Sequence, residues 1–505
     1  MFKKMTLLFT LVLLVLSFGL PVAAQDNVLV MARAADTTGL DPHTQTAFAS
    51  FRLLELIYEP LVNLAPDLSV IPALAESWAF NDDATQLTLN LRQGVTFHDG
   101  SAFTAEDVVA TFTRILDEAT GAAARANYLS IASIDTPDDY TVVFNLSQPD
   151  VPLLAALATT NAAIANKEDI ESGAIATVAN GTGPFKLDNW TPEETTTLSA
   201  NAEWWGEGPN IDGIEIRIIP DETSILAALR AGTIDFALLN DPLVATLLTD
   251  DATVTLNRVP AVAYHVLQLR STAPDSPLVE LGVRQAISCA IDRQEVLDTA
   301  SLGEGSVTGP LTMAAFALDP NELFCYEKNL DQARQLMADA GYADGFTMTV
   351  IAANAEPPTA LSEAQSIQAQ LAEIGITVEI ESLELSVYVD RWLAGDFEAA
   401  IALNGGRPDP YTMYARYWQT SGNLNNTAGY IDSTLDELMA AGRAETDPAA
   451  RYEIFAQFQR HLAEMAPWVW LYTGYEYTAQ QSYVEGFVPY PTDSLISLAQ
   501  VSLNR

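Results

Sequence analysis

The side chains best able to make or break bonds are few in this chain, and their spacing argues against such chemistry. Four histidines occur, His43, His98, His265 and His461. None stands at metal-ligand spacing from another histidine or a cysteine, and there is no H-E-x-x-H pair. A G-x-S-x-G nucleophile elbow is also absent. With 66 acidic residues, pairs of carboxylates arise by chance and do not point to glycoside hydrolysis. Gly181-Thr182-Gly183 has the look of a phosphate loop. No Lys-Ser/Thr follows it and no helix opens there, so a tight turn is expected. No metal and no cofactor is implied. A secreted hydrolase is the weaker alternative, because no catalytic pair can be named.

One stretch suits binding instead. Residues 399–418 read AAIALNGGRPDPYTMYARYW. A short apolar strand ends in Asn404, Gly405 and Gly406. Glycines leave backbone N–H and C=O groups approachable, which suits a ligand paired as an added strand. Arg407, Asp409, Tyr411, Tyr414 and Trp418 follow. Among these, Trp418 would supply apolar contact area and the polar loop would fix orientation. Pro408 and Pro410 punctuate the strand-to-helix connection.

The elements that must hold such a site are legible from periodicity. At 505 residues the chain has room for two or three domains. Hydrophobic residues make up 49%, which argues for packed cores. A formal charge of −42, with 19 arginines and 5 lysines, excludes a nucleic-acid or anionic-lipid partner. Lys3, Lys4, an apolar run over 7–20 and small residues at Val22 and Ala24 predict a cleaved secretory signal over 1–24. There is no cysteine at the cleavage point to carry a lipid. In an exported chain two cysteines, Cys289 and Cys325, favour one disulfide; closing a loop of ~37 residues contributes roughly 3–4 kcal/mol.

Along the chain, 28–33 is a short strand and 51–61 is expected to be helical. Leu87, Leu89 and Leu91 alternate as on a half-buried strand. Thr104 and Asp107 form a capping box before a helix bearing Val108, Phe112 and Ile115. Ile214, Ile216 and Ile218 precede a helix and a further strand, which signals a parallel unit. Helix–glycine–strand order recurs around Gly341 and Gly375. A long helix over 447–465 is expected to bury Ile454, Phe458 and Leu462.

Several motifs resemble one family. Leu74-Ala75-Glu76-Ser77-Trp78, then Leu91 through His98-Asp99-Gly100, then Thr104 to Val108 follow in order. Tyr58-Glu59-Pro60-Leu61 and the run 283–293, VRQAISCAIDR, add to the match. These segments resemble the extracytoplasmic solute-binding proteins, family 5, of peptide-type ABC importers. The resemblance implies an α/β, periplasmic-binding-protein-like fold of type II, the large cluster-C kind. Two lobes would be joined by a hinge, with a small subdomain inserted in the first. Lobe I would hold 25–60, 181–265 and 484–505, the insertion 61–180 and lobe II 266–483. The implied protein is a periplasmic or extracellular monomer that performs no reaction. It would take a solute, foremost an oligopeptide, between its lobes and pass it to an ABC permease and ATPase complex. An oligosaccharide or another solute is the alternative. The ligand residues implied are Asn404, Gly405, Gly406, Arg407, Asp409, Tyr411 and Trp418. Dipeptide-binding members hold the ligand amine with an aspartate where Gly406 stands here. They hold its carboxylate with an arginine that the stretch 355–370 lacks. Asp409 is the available substitute for the amine role.

Overall fold

The apolar run Val28–Arg33 is a strand buried along almost its whole length, because it has neighbours on both edges. It pairs in parallel with Gly213–Ile218 and with Phe236–Leu239. Strands covered on both faces read as continuous apolar runs. The helix Glu222–Arg230 makes the crossover between the two neighbours. Its N-cap Asp221 accepts the Thr223 N–H, and Ile225, Leu226 and Leu229 face the sheet. This computed structural model describes residues 27–505 apart from 274, 355, 356, 358, 421 and 423. The expected signal over 1–24 lies outside the described residues.

The complete first sheet has seven strands. In spatial order they are Val254–Pro260, Tyr475–Gln481, Phe236–Leu239, Val28–Arg33, Gly213–Ile218, Thr195–Ala200 and Phe185–Thr191. A separate four-stranded antiparallel sheet comprises Ala75–Phe80, Gln86–Leu91, Thr141–Leu146 and Ile131–Asp138. Leu87, Leu89 and Leu91 are its buried row, packed on Val108, Phe112 and Ile115 of the helix Ala105–Leu116. That helix starts where the Asp107 carboxylate accepts the Thr104 N–H at 2.9 Å.

A third, six-stranded sheet carries Ser306–Val307, Trp468–Thr473, Tyr264–Leu269, Ala399–Asn404, Phe346–Ala353 and Ile376–Leu383. Phe346–Ala353 runs parallel to Ile376–Leu383, with the helix Ala360–Ala372 between them in sequence. A disulfide joins Cys289, on the helix Leu281–Ala290, to Cys325. The first and third sheets are connected by one antiparallel ribbon. Val254–Pro260 pairs with Tyr475–Gln481 in the first sheet, and Tyr264–Leu269 pairs with Trp468–Thr473 in the third. Between them the chain crosses twice, at 261–263 and at Gly474. The crossings are tied by Ala261 N–H to Gly474 C=O at 2.9 Å. The Thr473 hydroxyl adds bonds to the Ala261 and Ala263 carbonyls at 2.5 and 2.7 Å. Two short crossings side by side make a hinge between the lobes.

Two local expectations need correcting. The helix expected over 51–61 is Phe48–Leu54. The chain leaves it through a turn at 55–57, and Glu59, as the residue before Pro60, is kept out of the helical region. In the long helix Pro448–Met465 the buried stripe is Phe455, Phe458 and Leu462, with Ile454 only half-buried.

Candidate ligand-binding cleft

The hinge ribbon is the back wall of a cavity of about 710 Å³, with Val262, Ala263 and Glu476 facing it. This is within the ~300–1,000 Å³ of small-ligand sites. The first lobe supplies the helix Phe48–Leu54 and its C-terminal loop around Asp493. The small subdomain supplies a rim that includes Asn63 and Ile71, and the second lobe supplies Leu403 and residues 405–408.

The charges on the first-lobe side are grouped. Arg52, in the last turn of its helix, makes an ion pair with Asp493. Asp493 sits at φ 57, a left-handed conformation that aspartate tolerates. Burial holds its carboxyl above the ordinary range, against the pull of Arg52. Glu55 accepts the Leu495 N–H at 2.6 Å and the Ser494 hydroxyl at 2.8 Å. Burial still pushes Glu55 up to about 7. Glu476 is also pushed up to about 7, by burial and then by the nearby charge of Asp493.

Two indoles form a side wall. Trp204 and Trp205 lie with ring centroids 5.7 Å apart. Both donate to Glu59, Trp204 at 3.1 Å and Trp205 at 2.9 Å, and Thr182 donates to it at 2.8 Å. The Arg92 guanidinium covers the Trp205 ring at 3.9 Å. Thr182 reaches Glu59 because its flanking glycines fit against the chain at Ile57. A Cβ at Gly181 would lie 2.0 Å from the Ile57 carbonyl oxygen. The turn is therefore a packing device, and its hydroxyl helps to fix the indoles.

The roof is the loop after the strand Ala399–Asn404. Arg407 is exposed to the cavity, and among the described residues no carboxylate pairs with it. A second cation, Arg416, acts on it electrostatically and donates to the Gly405 carbonyl at 2.9 Å. Gly406 packs against the hinge: a Cβ there would lie 1.9 Å from the Val262 oxygen. Among the described residues no group of three or more histidine, cysteine or acidic side chains could hold a metal ion.

The chain matches the model of the bacterial extracellular solute-binding proteins, family 5, over residues 69–425. The chain belongs to that family. It is 30% identical over 507 aligned positions to the probable D,D-dipeptide-binding periplasmic protein DdpA of Escherichia coli (strain K12), covering 95% of each chain. HbpA2 of Haemophilus parasuis superposes with a TM-score of 0.86 at 26% identity, over 94% of this chain and 100% of that one. DppA of Helicobacter pylori, an ABC transporter-associated periplasmic binding protein solved with the peptide STSA, gives 0.73 at 27% identity, over 95% and 98%. The fold is that of a type II periplasmic binding protein. Among the described residues no helix is long and apolar enough to cross a membrane.

Within this family 5 fold the residues expected to bind separate into two groups. Gly405, Gly406 and Arg407 line the cavity. Asn404, Asp409, Tyr411 and Trp418 do not. The Asn404 amide oxygen accepts the Tyr417 hydroxyl at 3.1 Å inside the second lobe. Asp409 caps the helix Pro410–Trp418 through the Tyr411 and Thr412 N–H groups and pairs with Arg451 at 2.6 Å. Its charge is already used, so it cannot substitute for the missing aspartate. Tyr411 lies under the Arg443 guanidinium at 5.1 Å. Trp418 is in the core, 4.6 Å from the Trp468 ring. The helix turns 413, 414, 417 and 418 inward together, which is the stripe of a core helix. Among the cavity residues that carried no binding expectation are four charged ones: Arg52, Glu55, Glu476 and Asp493. One signal was available: Glu476 is the single charge in the stretch 466–483.

Proposed function

We propose that the protein captures a short peptide between its two lobes and hands it to a membrane permease and its ATPase. It acts as an exported monomer outside the cytoplasm and performs no reaction. The observation that carries this reading is the cavity of about 710 Å³ closed at the back by the hinge. Ligand there touches both lobes and the hinge at once, so binding favours the closed form. The Trp204–Trp205 wall suits an apolar side chain, and Arg407 suits a carboxylate. A relative named for D,D-dipeptides and a relative solved with the peptide STSA support a peptide over a sugar.

The test is a thermal-shift screen of residues 25–505, unfolded and refolded to strip carried ligand. The panel holds peptides of two to eight residues and oligosaccharides. Ligand at ~100 times its Kd adds ~2.7 kcal/mol and raises Tm by a few degrees. A rise with peptides is the expected result. A rise with sugars alone keeps the transport role and overturns the peptide.

A further inference from the structure

The charges around the cavity are not balanced. Beside Glu59, which Thr182 and the two indoles serve, three carboxyl groups on the hinge and first-lobe side, Glu55, Asp493 and Glu476, line the cavity with one guanidinium, Arg52. Two of the three are served. Asp493 has its ion pair with Arg52, and Glu55 has the Leu495 N–H and the Ser494 hydroxyl. Glu476 is held by its backbone opposite Val259. Among the described residues no hydrogen bond or ion pair reaches its carboxylate, and its surroundings act through burial first and then through the charges of Asp493 and Arg52. Glu476 is half-buried in the wall, and the space it opens on is the cavity. On the opposite lobe Arg407 stands free, with a second cation as its neighbour. A charge taken out of water without a partner is costly. An unserved anion and an unserved cation on two walls of one cavity describe a ligand that carries both signs.

The loop 404–409 offers no other seat for a cation. Gly406 has no room for a side chain, and Asp409 is consumed by Arg451. We propose that Glu476 receives the ammonium group of a peptide ligand while Arg407 receives its carboxylate from across the cleft. The inference rests on the peptide reading above. It also supplies a closing force. Against the expectation that 266–483 lies wholly in the second lobe, Glu476 stands on a strand of the first sheet, two residues beyond Gly474, whereas Arg407 follows a strand of the third sheet. A zwitterion gains both contacts only when the lobes come together.

The experiment uses residues 25–505 and the variants Glu476→Gln and Arg407→Gln. The probes are an equimolar tripeptide mixture with free ends, the same mixture N-acetylated, and the same mixture C-amidated. Thermal shift over a concentration series reads the apparent affinity. Acetylation is expected to weaken binding to the native chain about tenfold or more. Glu476→Gln should weaken the free mixture to the same degree and no longer tell it from the acetylated one. Arg407→Gln should cease to tell acid from amide. Without probe, Glu476→Gln should melt at or above the native protein, because it removes an unserved charge. Equal binding of free and acetylated mixtures by the native chain overturns the ammonium seat and leaves the peptide reading standing. Silence from every mixture overturns both. A Glu476→Gln chain that melts well below the native one yet keeps the discrimination assigns Glu476 a structural role and overturns the proposal.

Discussion

Gly405 and Gly406 are neighbours in the cleft loop with opposite demands. Nothing lies within 4 Å of a Cβ built on Gly405, whereas one built on Gly406 meets the Val262 oxygen at 1.9 Å. Gly406→Ala must push the loop off the hinge, at a cost of about 1–3 kcal/mol. Gly405→Ala should fall within about 0.5 kcal/mol of the native protein. Urea denaturation of the two variants checks this; equal midpoints would contradict the close packing of loop on hinge. Asp409 gives a second contrast. It and Arg451 are both buried, so Asp409→Ala leaves an uncompensated guanidinium and should destabilise by about 3–5 kcal/mol. Peptide affinity per folded molecule should not change, since Asp409 is absent from the cavity wall. A Kd that rises while stability holds would return Asp409 to the site.

At the scale of elements, the segment that follows the helix Phe48–Leu54 and the segment carrying Trp204 and Trp205 meet through one carboxyl group, that of Glu59. Burial raises Glu59 to about 7, against the pull of its three donors. A carboxyl whose folded value lies above its ordinary 4.5 holds its proton more tightly in the folded chain. Its contribution to stability is therefore full below about 4.5 and is lost as pH rises through 7. Comparing melting temperatures of native protein and Glu59→Gln between pH 5 and 8 isolates this term. The native protein should lose ground to the variant as pH rises, and a constant gap would show that Glu59 stays ionised throughout. The same scale explains what the sequence disclosed. The leucine alternation at 87–91, the capping box at Thr104 and Asp107, and the strand into Asn404 were legible because each is fixed by residues a few positions apart. The helix end at Leu54 was not legible because the turn at 55–57 that follows it holds no glycine or proline to mark it. Trp418 was misassigned because an aromatic stripe looks alike whether it faces a core or a ligand. Arg52, Glu55, Glu476 and Asp493 were invisible as a group. They meet only after a late strand enters a sheet built from the start of the chain.

For the molecule as a whole, the hinge is not the only link between its parts. Asp150, beside the small subdomain's sheet, makes two bonds to Arg443 on the helix Ser433–Ala444, at 3.1 and 3.0 Å. The Val151 N–H donates to the Arg443 carbonyl at 2.9 Å. Any opening about Gly474 that parts these elements must break this bridge. Asp150→Ala removes about 1.5–3 kcal/mol of charge-assisted contact, enough to shift an open-to-closed ratio about tenfold or more. Small-angle scattering of the ligand-free variant should show a larger radius of gyration, reversed by saturating peptide. Superimposable curves would mean that the bridge does not restrain the lobes. The ribbon at the hinge has a further bearing, on the order in which the protein can be made. Tyr475–Gln481 lies between Phe236–Leu239 and Val254–Pro260, so those two strands have no pairing with each other to fall back on. Trp468–Thr473 completes the other large sheet in the same way. Both large sheets therefore stay incomplete until residues 468–481 have been synthesised, while the small subdomain already has its own core within residues 61–164.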